Sequence, residues 1–437
     1  MTPFRAFCIL DYNLLRKNQA VTKGQRGMEM QFLQGNNLPR VKASNQSAIL
    51  RMIYYYGPIQ RAEIAEQLEL TLPTITTNIN KMLADGLVKE TSMKAAPYGS
   101  NGRRARLLEI NAQACYFAGL EFKSYQWSIC ITDFCGNLLN SRRIVQKSTD
   151  YEKVMEQLGR DFAECLADSG KSLKDISGIG IGLPGLVDRR NGILKVSTRH
   201  QWMNKNVRDD FARLTGYQGK ITLENNATAR GLSAQLFHWD ELEKGQSFAY
   251  LFVALGVACP LFLNTSSYRG SVVGAGEAGH MIIEPRGRLC SCGNHGCLEA
   301  YASEYAIIND CKVEMEQGRA EILREICSNP EEPEISEILK AQEAGDKSVC
   351  HIIEEAIYRL AVAASNIINF TRPDIMLIDC QLFQNEYNRR IMLDKAQKNL
   401  YSPTYPGTEI SFVDPDKSAN ALGAVAVAID EKMEISM

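Results

Sequence analysis

Four side chains of the types that bind zinc lie within a short stretch of this sequence. They are His280, Cys290, Cys292 and Cys297. Zn²⁺ prefers thiolate and imidazole ligands, and a structural zinc site normally has four of them and no open position. Two carboxylates, Glu277 and Glu299, flank the group. The pattern predicts a closed site, here called the zinc clip, that holds both carboxylates in place. A cysteine cluster without metal is the alternative, and His295 is a second candidate for the histidine ligand.

The composition indicates a large cytoplasmic protein. The chain has 437 residues, of which 45% are hydrophobic and 23% charged, and its formal net charge is −2. This length suggests two or three domains, and no apolar run is long enough to cross a bilayer. The 13 cysteines are odd in number and scattered, and no convincing signal peptide precedes them, which predicts reduced thiols. The near-neutral charge argues against a protein that coats nucleic acid but permits one basic module.

Residues 44–112 have the pattern of a winged helix-turn-helix. Helices are expected at Asn45–Tyr56 and Arg61–Gln67, and a third runs to about Gly86. Thr71 suits the N-cap of this third helix and Pro73 suits its first turn. Its apolar residues recur at helical spacing and are Ile75, Ile79, Met82 and Leu83. A hairpin that returns through Leu107–Ile110 completes the module.

The outward face of the third helix and the loop of the hairpin predict contacts with DNA. The helix is sized for the major groove, and arginines in the loop can reach phosphates or a minor groove. The candidate contacts are Thr74, Thr77, Asn78, Lys81, Arg103, Arg104 and Arg106. A protein-docking module is the alternative, because three-helix modules with hairpins also serve that purpose. Residues 1–43 are polar and aperiodic and are expected to form a flexible tail.

Strands alternate with helices across residues 113–437, which is typical of an α/β fold. Strands are expected at Tyr116–Phe122, Trp127–Asp133, Ile221–Asn226, Phe248–Leu255 and Ile375–Asp379, with a glycine-rich strand from Ile176. Helices are expected at Tyr151–Ala167, Ala356–Phe370 and Ala419–Ile429. Two lobes of this kind would leave a cleft between them, where small ligands commonly bind.

Four motifs of the large module occur in a characteristic order. They are Gly180-Ile-Gly-Leu-Pro-Gly-Leu-Val-Asp188, Glu224-Asn-Asn-Ala227, Gly276-Glu-Ala-Gly-His280 and Cys290-Ser-Cys-Gly-Asn-His-Gly-Cys-Leu-Glu299. On these motifs the chain resembles the ROK family of repressors, open reading frames and kinases. The resemblance implies a two-lobed actin/hexokinase-like (ribonuclease H-like) fold with a sugar-sized ligand in its cleft. It assigns the fourth zinc ligand to His280 and leaves His295 as a solvated loop residue. The winged module places the chain with the family's transcriptional repressors, since the sugar kinases lack it.

The groups that transfer phosphate in the family's kinases are replaced in this chain. Glu121-Phe-Lys-Ser124 stands where they have an Asp-x-Gly-Gly-Thr loop, whose glycines let the backbone approach phosphate. Asn226 stands where they have the catalytic aspartate, and an amide cannot take a proton from a hydroxyl. Leu255–Pro260 keeps one glycine of the second phosphate turn, and Asp379-Cys-Gln381 lacks the paired glycines of the adenine side. We therefore expect no kinase activity and no catalytic residue.

The sugar side of the family's site is better preserved. The resemblance implies that a sugar contacts Asn225, Asn226, Glu277, His280 and Glu299, and amides and carboxylates suit hydroxyl recognition. His280 is expected to bind zinc through one ring nitrogen and the ligand through the other. Alternatively, Glu277 and Glu299 only orient the zinc clip and the cleft stays empty.

These expectations combine into a cytoplasmic, sugar-responsive repressor of carbohydrate-utilisation genes. A homodimer or homotetramer would present winged helices to a palindromic operator DNA. A monosaccharide or sugar phosphate effector would alter the spacing of the two recognition helices. No membrane contact is expected. Two alternatives stay open, a sugar kinase that also binds DNA and a ligand-independent regulator controlled by a protein partner.

Overall fold

The computed structural model describes most of the chain after residue 37. The described residues are 38–95, 105–123, 126–145, 148–198, 200–237, 242, 246–263, 266–268, 270, 273–401, 407–414 and 421–434. Residues Ile49–Glu434 form one compact unit, which contains a winged module and two lobes, each built on its own sheet. None of the described helices is long and apolar enough to cross a membrane. The tail predicted for residues 1–43 lies almost entirely outside the described residues.

The winged module has three helices and a β-hairpin. Its elements are α1 (Leu38–Tyr56), α2 (Arg61–Gln67), α3 (Leu72–Ala84), β1 (Val88–Ala95) and β2 (Ala105–Ile110). Helix α2 has the predicted bounds, and Thr71 caps α3 as predicted, since its Oγ1 accepts a hydrogen bond from the backbone N–H of Thr74 (3.4 Å). Helix α1 begins at Leu38, earlier than the predicted Asn45; Pro39 stands in its first turn, where proline is tolerated.

Lobe 1 contains a five-stranded sheet in the order β10-β6-β3-β4-β5. These strands are β3 (Tyr116–Lys123), β4 (Gln126–Asp133), β5 (Leu138–Val145), β6 (Ile176–Leu183) and β10 (Ile221–Asn225). Strands β10, β6 and β3 are parallel, whereas β4 and β5 are antiparallel to their neighbours. The sequence pattern did not indicate β5, because this strand lies at the edge of the sheet and exposes many of its side chains.

Helices cover both faces of this sheet. A small antiparallel sheet of β7 (Leu186–Asp188), β8 (Ile193–Ser197) and β9 (Trp202–Lys205) extends lobe 1. Helices α4 (Tyr151–Asp168) and α5 (Val207–Thr215) pack on one face of the main sheet, and α6 (Asn226–Leu236) and α13 (Leu422–Met433) pack on the other. Helix α13 approaches so closely that a Cβ atom at Gly180 would overlap the backbone of Ala424.

Lobe 2 contains a second mixed sheet, in the order β14-β13-β11-β15-β16 with β12 paired to β11. Its strands are β11 (Phe248–Val253), β12 (Val257–Ala258), β13 (Leu261–Leu263), β14 (Ser266–Ser267), β15 (Ile375–Cys380) and β16 (Glu409–Phe412). Its helices are α7 (Glu299–Ala302), α8 (Glu304–Glu316), α9 (Glu321–Ile326), α10 (Ile335–Glu343), α11 (Lys347–Thr371) and α12 (Glu386–Asn399). Helix α11 starts before the predicted Ala356, because Asp346 caps it at Ser348 and Val349.

The winged module and lobe 1 share one apolar core. Ile53 of α1 and Leu108 of β2 belong to the same buried cluster as Val425 and Met433 of α13. The ring of Tyr54 lies 5.9 Å from the ring of Phe134, between centroids. The winged module is therefore packed directly on lobe 1 and is not joined to it by a long linker.

Candidate ligand pocket, metal centre and DNA-facing helix

A pocket lies where the two lobes meet. Lobe 1 contributes Lys123, Ser197, His200, Asn225 and Asn226, among others, and lobe 2 contributes Phe252, Gly256, Glu277, His280 and Glu299, among others. The cavity volume is about 140 Å³, on a scale where one water needs roughly 10–15 Å³. The pocket therefore has room for on the order of ten waters, which suits a monosaccharide. All five predicted sugar-contacting residues line it.

The wall from lobe 1 is formed where β10 passes into α6. Asn225 caps this helix, because its Oδ1 accepts from the backbone N–H of Ala227 (2.9 Å) and its Nδ2 donates to the carbonyl of Gly185 (3.0 Å). Asn226 is buried, and its Nδ2 donates to the carbonyl of Phe122. No donor among the described residues reaches its Oδ1. A buried amide oxygen without a partner is costly, and it is accommodated here beside Gly182, where an added Cβ would lie 2.9 Å from it.

The wall from lobe 2 carries two carboxylates. Glu299 accepts from the hydroxyl of Ser291 (3.1 Å) at Oε1 and from the backbone N–H of Val257 (3.3 Å) at Oε2. Burial, together with the neighbouring Glu299 carboxylate, raises the pKa of Glu277 to about 7. A carboxyl group near its pKa at neutral pH can both donate and accept hydrogen bonds, which matches the dual character of a sugar hydroxyl.

The four predicted zinc ligands come together beside the second wall. The ligand atoms of His280, Cys290, Cys292 and Cys297 all lie within 4.8 Å of one another. The Cys292 and Cys297 sulfurs are 3.7 Å apart, and His280 Nδ1 is 3.8 Å from the Cys290 sulfur. Zn–S bonds of about 2.3 Å in a tetrahedron place two sulfurs roughly 3.8 Å apart. The donor set and its spacing therefore fit a tetrahedral metal ion.

This geometry distinguishes between His280 and His295 as candidates for the histidine ligand. His295 is exposed and lies outside the cluster, with Nδ1 3.0 Å from the carbonyl of Gly287. His280 directs Nδ1 toward Cys290 and also lines the pocket. Burial raises the pKa of the Cys297 thiol to about 12, and a bound divalent cation would favour the thiolate instead.

A buried ion cluster occupies the ends of strands β3 and β15. Arg230 of α6 donates from Nε to Glu121 (2.6 Å) and from Nη1 to Asp379 (3.0 Å), and Tyr250 donates to the same Asp379 oxygen (2.8 Å). Sequence reasoning identified the loss of phosphate-loop glycines here but missed Arg230. A signal existed, because a cation inside the otherwise apolar Ala229-Arg-Gly-Leu232 stretch requires buried carboxylate partners.

Several further pocket residues were missed in the sequence, among them the polar residues Lys123, Ser197 and His200. Lys123 ends β3, Ser197 ends β8, and His200 follows β8, with Ser197 Oγ 2.9 Å from His200 Nδ1. The available signal in the sequence was that these polar residues stand at or just after the ends of strands. The pocket thus contains one lysine and two histidines in addition to its carboxylates.

The surface of α3 that was predicted to face DNA differs in part from the prediction. Thr77 and Lys81 are exposed and Thr74 is half-buried. The expectation that Asn78 points outward is wrong: it is 6% exposed, and its Nδ2 donates to the carbonyl of Thr74 (2.8 Å). The physical reason is its spacing, since position 78 is three residues after Ile75 and so belongs to the inward stripe. Asn80, which was not predicted, is exposed instead.

Only part of the predicted arginine wing is described. Arg103 and Arg104 lie outside the described residues. Arg106 lies in the returning strand β2, and its side chain is 66% exposed while pairing with Glu90. Glu90 also pairs with Arg61 of α2 (3.2 Å). Arg106 therefore keeps a solvent-exposed positive charge although it forms an ion pair with Glu90.

The fold and the pocket define a two-lobed, actin/hexokinase-like protein with a winged helix at its N-terminus. The chain belongs to the ROK family, whose sequence pattern matches residues 118–431. The MarR family pattern matches residues 43–92, within the winged module.

Individual relatives extend over both parts of the chain. The xylose repressor of Caldicellulosiruptor bescii is 27% identical over 398 residues, which cover 90% of this chain and 97% of that protein. A crystal structure of a ROK family transcriptional regulator, a homolog of the E. coli MLC protein, matches with a TM-score of 0.73 at 21% identity, covering 90% of this chain and 97% of that one. A ROK family glucokinase from Streptomyces griseus, solved with glucose and AMPPNP, matches with a TM-score of 0.63 at 18% identity and covers 72% of this chain.

Proposed function

We propose that this protein is a sugar-responsive DNA-binding transcriptional regulator that represses carbohydrate-utilisation genes. One observation carries the proposal: a winged helix is packed on a ROK domain in which the predicted sugar-contacting residues line one pocket. In the same domain, Arg230 forms ion pairs at the ends of the strands where a kinase would need phosphate loops. The relative that covers 90% of this chain and is named a xylose repressor supports the same conclusion. The protein is a regulator and not an enzyme.

The effector is a monosaccharide or a sugar phosphate held between the lobes. The carboxylates of Glu277 and Glu299 provide acceptors for ligand hydroxyls, and Asn225 and Asn226 line the facing wall. Nε2 of His280 is the ring nitrogen left for the ligand when Nδ1 is directed at Cys290. The first sugar to test is D-xylose, because of the relative named above.

A structural Zn²⁺ is proposed in the zinc clip. The four donors have the types and the mutual distances of a tetrahedral site, and they leave no position for a water that could do chemistry. Zinc would crosslink the segment that carries Glu277, His280 and Glu299, and so fix the second wall of the pocket.

Operator DNA is the proposed partner, in the cytoplasm. Thr74, Thr77 and Lys81 on α3 and Arg106 on β2 would face the DNA, and Arg103 and Arg104 stay predicted contacts from the sequence. Two copies of the chain, as a homodimer or within a homotetramer, would place two recognition helices on half-sites about 34–36 Å apart or a multiple of this.

Selection of genomic DNA fragments by the purified full-length protein tests the proposal. We expect enrichment of a palindrome next to genes of sugar transport or breakdown, and its loss in a Thr77→Ala/Lys81→Ala variant. Lys432→Ala, at the end of α13, is the matched control and should select the same DNA. Equal selection by all three proteins would contradict the role of Thr77 and Lys81, and no selection by the wild type would contradict the DNA-binding role.

Thermal unfolding with a panel of sugars and sugar phosphates tests the effector. A ligand at 100 times its Kd stabilises the folded state by about 2.7 kcal/mol, so a true effector raises the melting temperature measurably. A protein that selects DNA but is stabilised by no sugar would instead be a ligand-independent regulator controlled by a protein partner.

A further inference from the structure

A chain of ion pairs runs from the ligand pocket to the winged module. At its centre is Arg189, in the turn after β7. Its guanidinium lies 3.0 Å from Glu224 of β10, 2.9 Å from Glu431 and 3.7 Å from Asp430, both of α13. The Arg189 side chain is 15% exposed, so these charges interact with little screening by solvent. Three secondary-structure elements thus meet at one cation.

On the pocket side, Arg189 is linked to Asn225 by two routes. The carboxylate of Glu224 accepts a hydrogen bond from the backbone N–H of Asn225 (3.1 Å). The side chain of Asn225 donates to Gly185 (3.0 Å), which directly precedes β7 and the turn that carries Arg189. A ligand that moves Asn225 would therefore move both a carboxylate partner and the backbone support of the same guanidinium.

On the other side, the chain of ion pairs ends in helix α1. Arg51 of α1 lies 2.7 Å from the Asp430 carboxylate and also donates to the Asp430 carbonyl (3.4 Å). Asp430 is 5% exposed and is shared by Arg51 and Arg189. Helix α1 in turn packs through Ile49 and Ile53 on the core that contains α3. The position of α1 therefore influences the DNA-facing helix.

Two cations that share one buried carboxylate are energetically dependent on each other. When Arg189 moves closer to Glu224, its ion pair with Asp430 weakens, and Asp430 then restrains Arg51 and α1 less. When Arg189 moves away from Glu224, its ion pair with Asp430 strengthens, and α1 is restrained more. This competition converts a small displacement at the pocket into a changed restraint on α1.

We propose that Arg189 is the positioning residue that couples the pocket at Asn225 to the winged module through Asp430 and Arg51. Arg189 touches neither the pocket nor the DNA-facing surface. The inference rests on the proposed function, in which a sugar in this pocket changes DNA binding. Coupling of this kind is typically about 5–150-fold in affinity.

The physical link is tested by hydrogen–deuterium exchange on the full-length protein, which requires neither sugar nor DNA. We expect Arg189→Met to speed exchange in residues 49–56, on the order of fivefold, because Asp430 loses one of its two cations. Glu224→Gln should slow this exchange, because Arg189 then holds Asp430 more firmly, and the double variant should exchange like Arg189→Met. Lys220→Met is the matched control, because Lys220 pairs with Glu431 at 2.9 Å and is not placed between Asn225 and Arg51; it should leave residues 49–56 unchanged. Additive effects in the double variant, or an unchanged rate in Glu224→Gln, would overturn the proposal.

The regulatory consequence is tested with the selected DNA and D-xylose. Arg189→Met should bind both with nearly wild-type affinity, whereas the change in DNA affinity caused by D-xylose should fall below about twofold. Arg51→Met removes the ion pair between α1 and Asp430 and should show the same loss of the D-xylose response. Agreement between the two variants excludes a purely local defect at Arg189 as the cause. An undiminished D-xylose response in both variants would overturn the coupling. Failure of the proposed function is distinguishable, since then the wild type itself selects no DNA or shows no D-xylose response while the exchange result stands.

Discussion

The two walls of the pocket are built in different ways. The wall from lobe 1 presents Asn225 and Asn226 at the junction of a buried strand and a helix, where backbone hydrogen bonds hold both residues. The wall from lobe 2 presents Glu277 and His280 at the two ends of a single 3-10 turn, Ala278–His280. The chain that follows is irregular, and residues 281–298 have only two isolated bridges, Ile282 with Cys297 and Leu289 with His295.

The two walls differ in what holds their backbone in place. A strand–helix junction has few backbone conformations available, so amides placed there are held by local structure. An irregular segment pays more conformational entropy to be ordered, and four metal-ligand side chains can offset this. We infer that the second wall depends on the zinc clip for its shape, whereas the first wall does not.

Removal of the metal should have the largest effect. Cys297→Ser is expected to abolish zinc content and to weaken sugar binding at least about 100-fold, because ligand loss couples to local folding. Metal analysis and calorimetric titration measure the two effects. Cys350→Ser, a half-buried cysteine outside the cluster, should keep one zinc per chain. A Cys297→Ser protein with full zinc content would contradict the role of the clip.

Replacement of Arg230 should affect stability more than any polar change in the pocket walls. Arg230→Met leaves Glu121 and Asp379 buried without their cation, and breaking a buried pair from one side costs about 3–5 kcal/mol. The free energy of unfolding in urea is the measurement. Arg213→Met is the matched control, because its pair with Asp210 is on the surface and is worth at most about 1 kcal/mol. Equal stability losses would refute the assignment.

Replacement of one carboxylate should affect the ligand but not the metal. Glu299→Gln is expected to lower sugar affinity about 10–100-fold, since hydrogen bonds to charged groups contribute roughly 1.5–3 kcal/mol. Glu284→Gln, with an exposed side chain, serves as the control. Zinc content should remain at one per chain in both. Loss of zinc in Glu299→Gln would mean that this carboxylate supports the clip and not the ligand.

Restoring an aspartate on the first wall should have the smallest effect. Asn226→Asp is expected to leave ADP production with ATP and a sugar panel at background, because the Arg230 ion pairs still hold Glu121 and Asp379. A coupled assay for ADP is the measurement. Release of ADP above the wild-type level would show that only the base was missing and would favour the kinase alternative.

Local features of this protein were predictable from its sequence. The family, the zinc-type cluster and the cap of α3 at Thr71 depend on residues close together in the chain, for which short connections restrict the geometry. The same holds for the assignment of the clip histidine, where family motifs separated His280 from His295. The edge strand β5 and the burial of Asn78 were missed, because an exposed edge strand has a weak apolar signal and an amide on an apolar stripe looks like a surface residue.

What the sequence by itself determined was therefore the set of modules and the chemistry available to each. The tertiary structure alone decided which distant charges meet. Arg230 pairs with Glu121 and Asp379 across 109 and 149 residues, and Arg51 meets Asp430 across 379 residues. Such pairs have no local periodicity or spacing that encodes them. They form because the packing of α6 on both sheets, and of α13 on α1, excludes water from these charges. A buried charge is costly unless it is paired with an opposite charge.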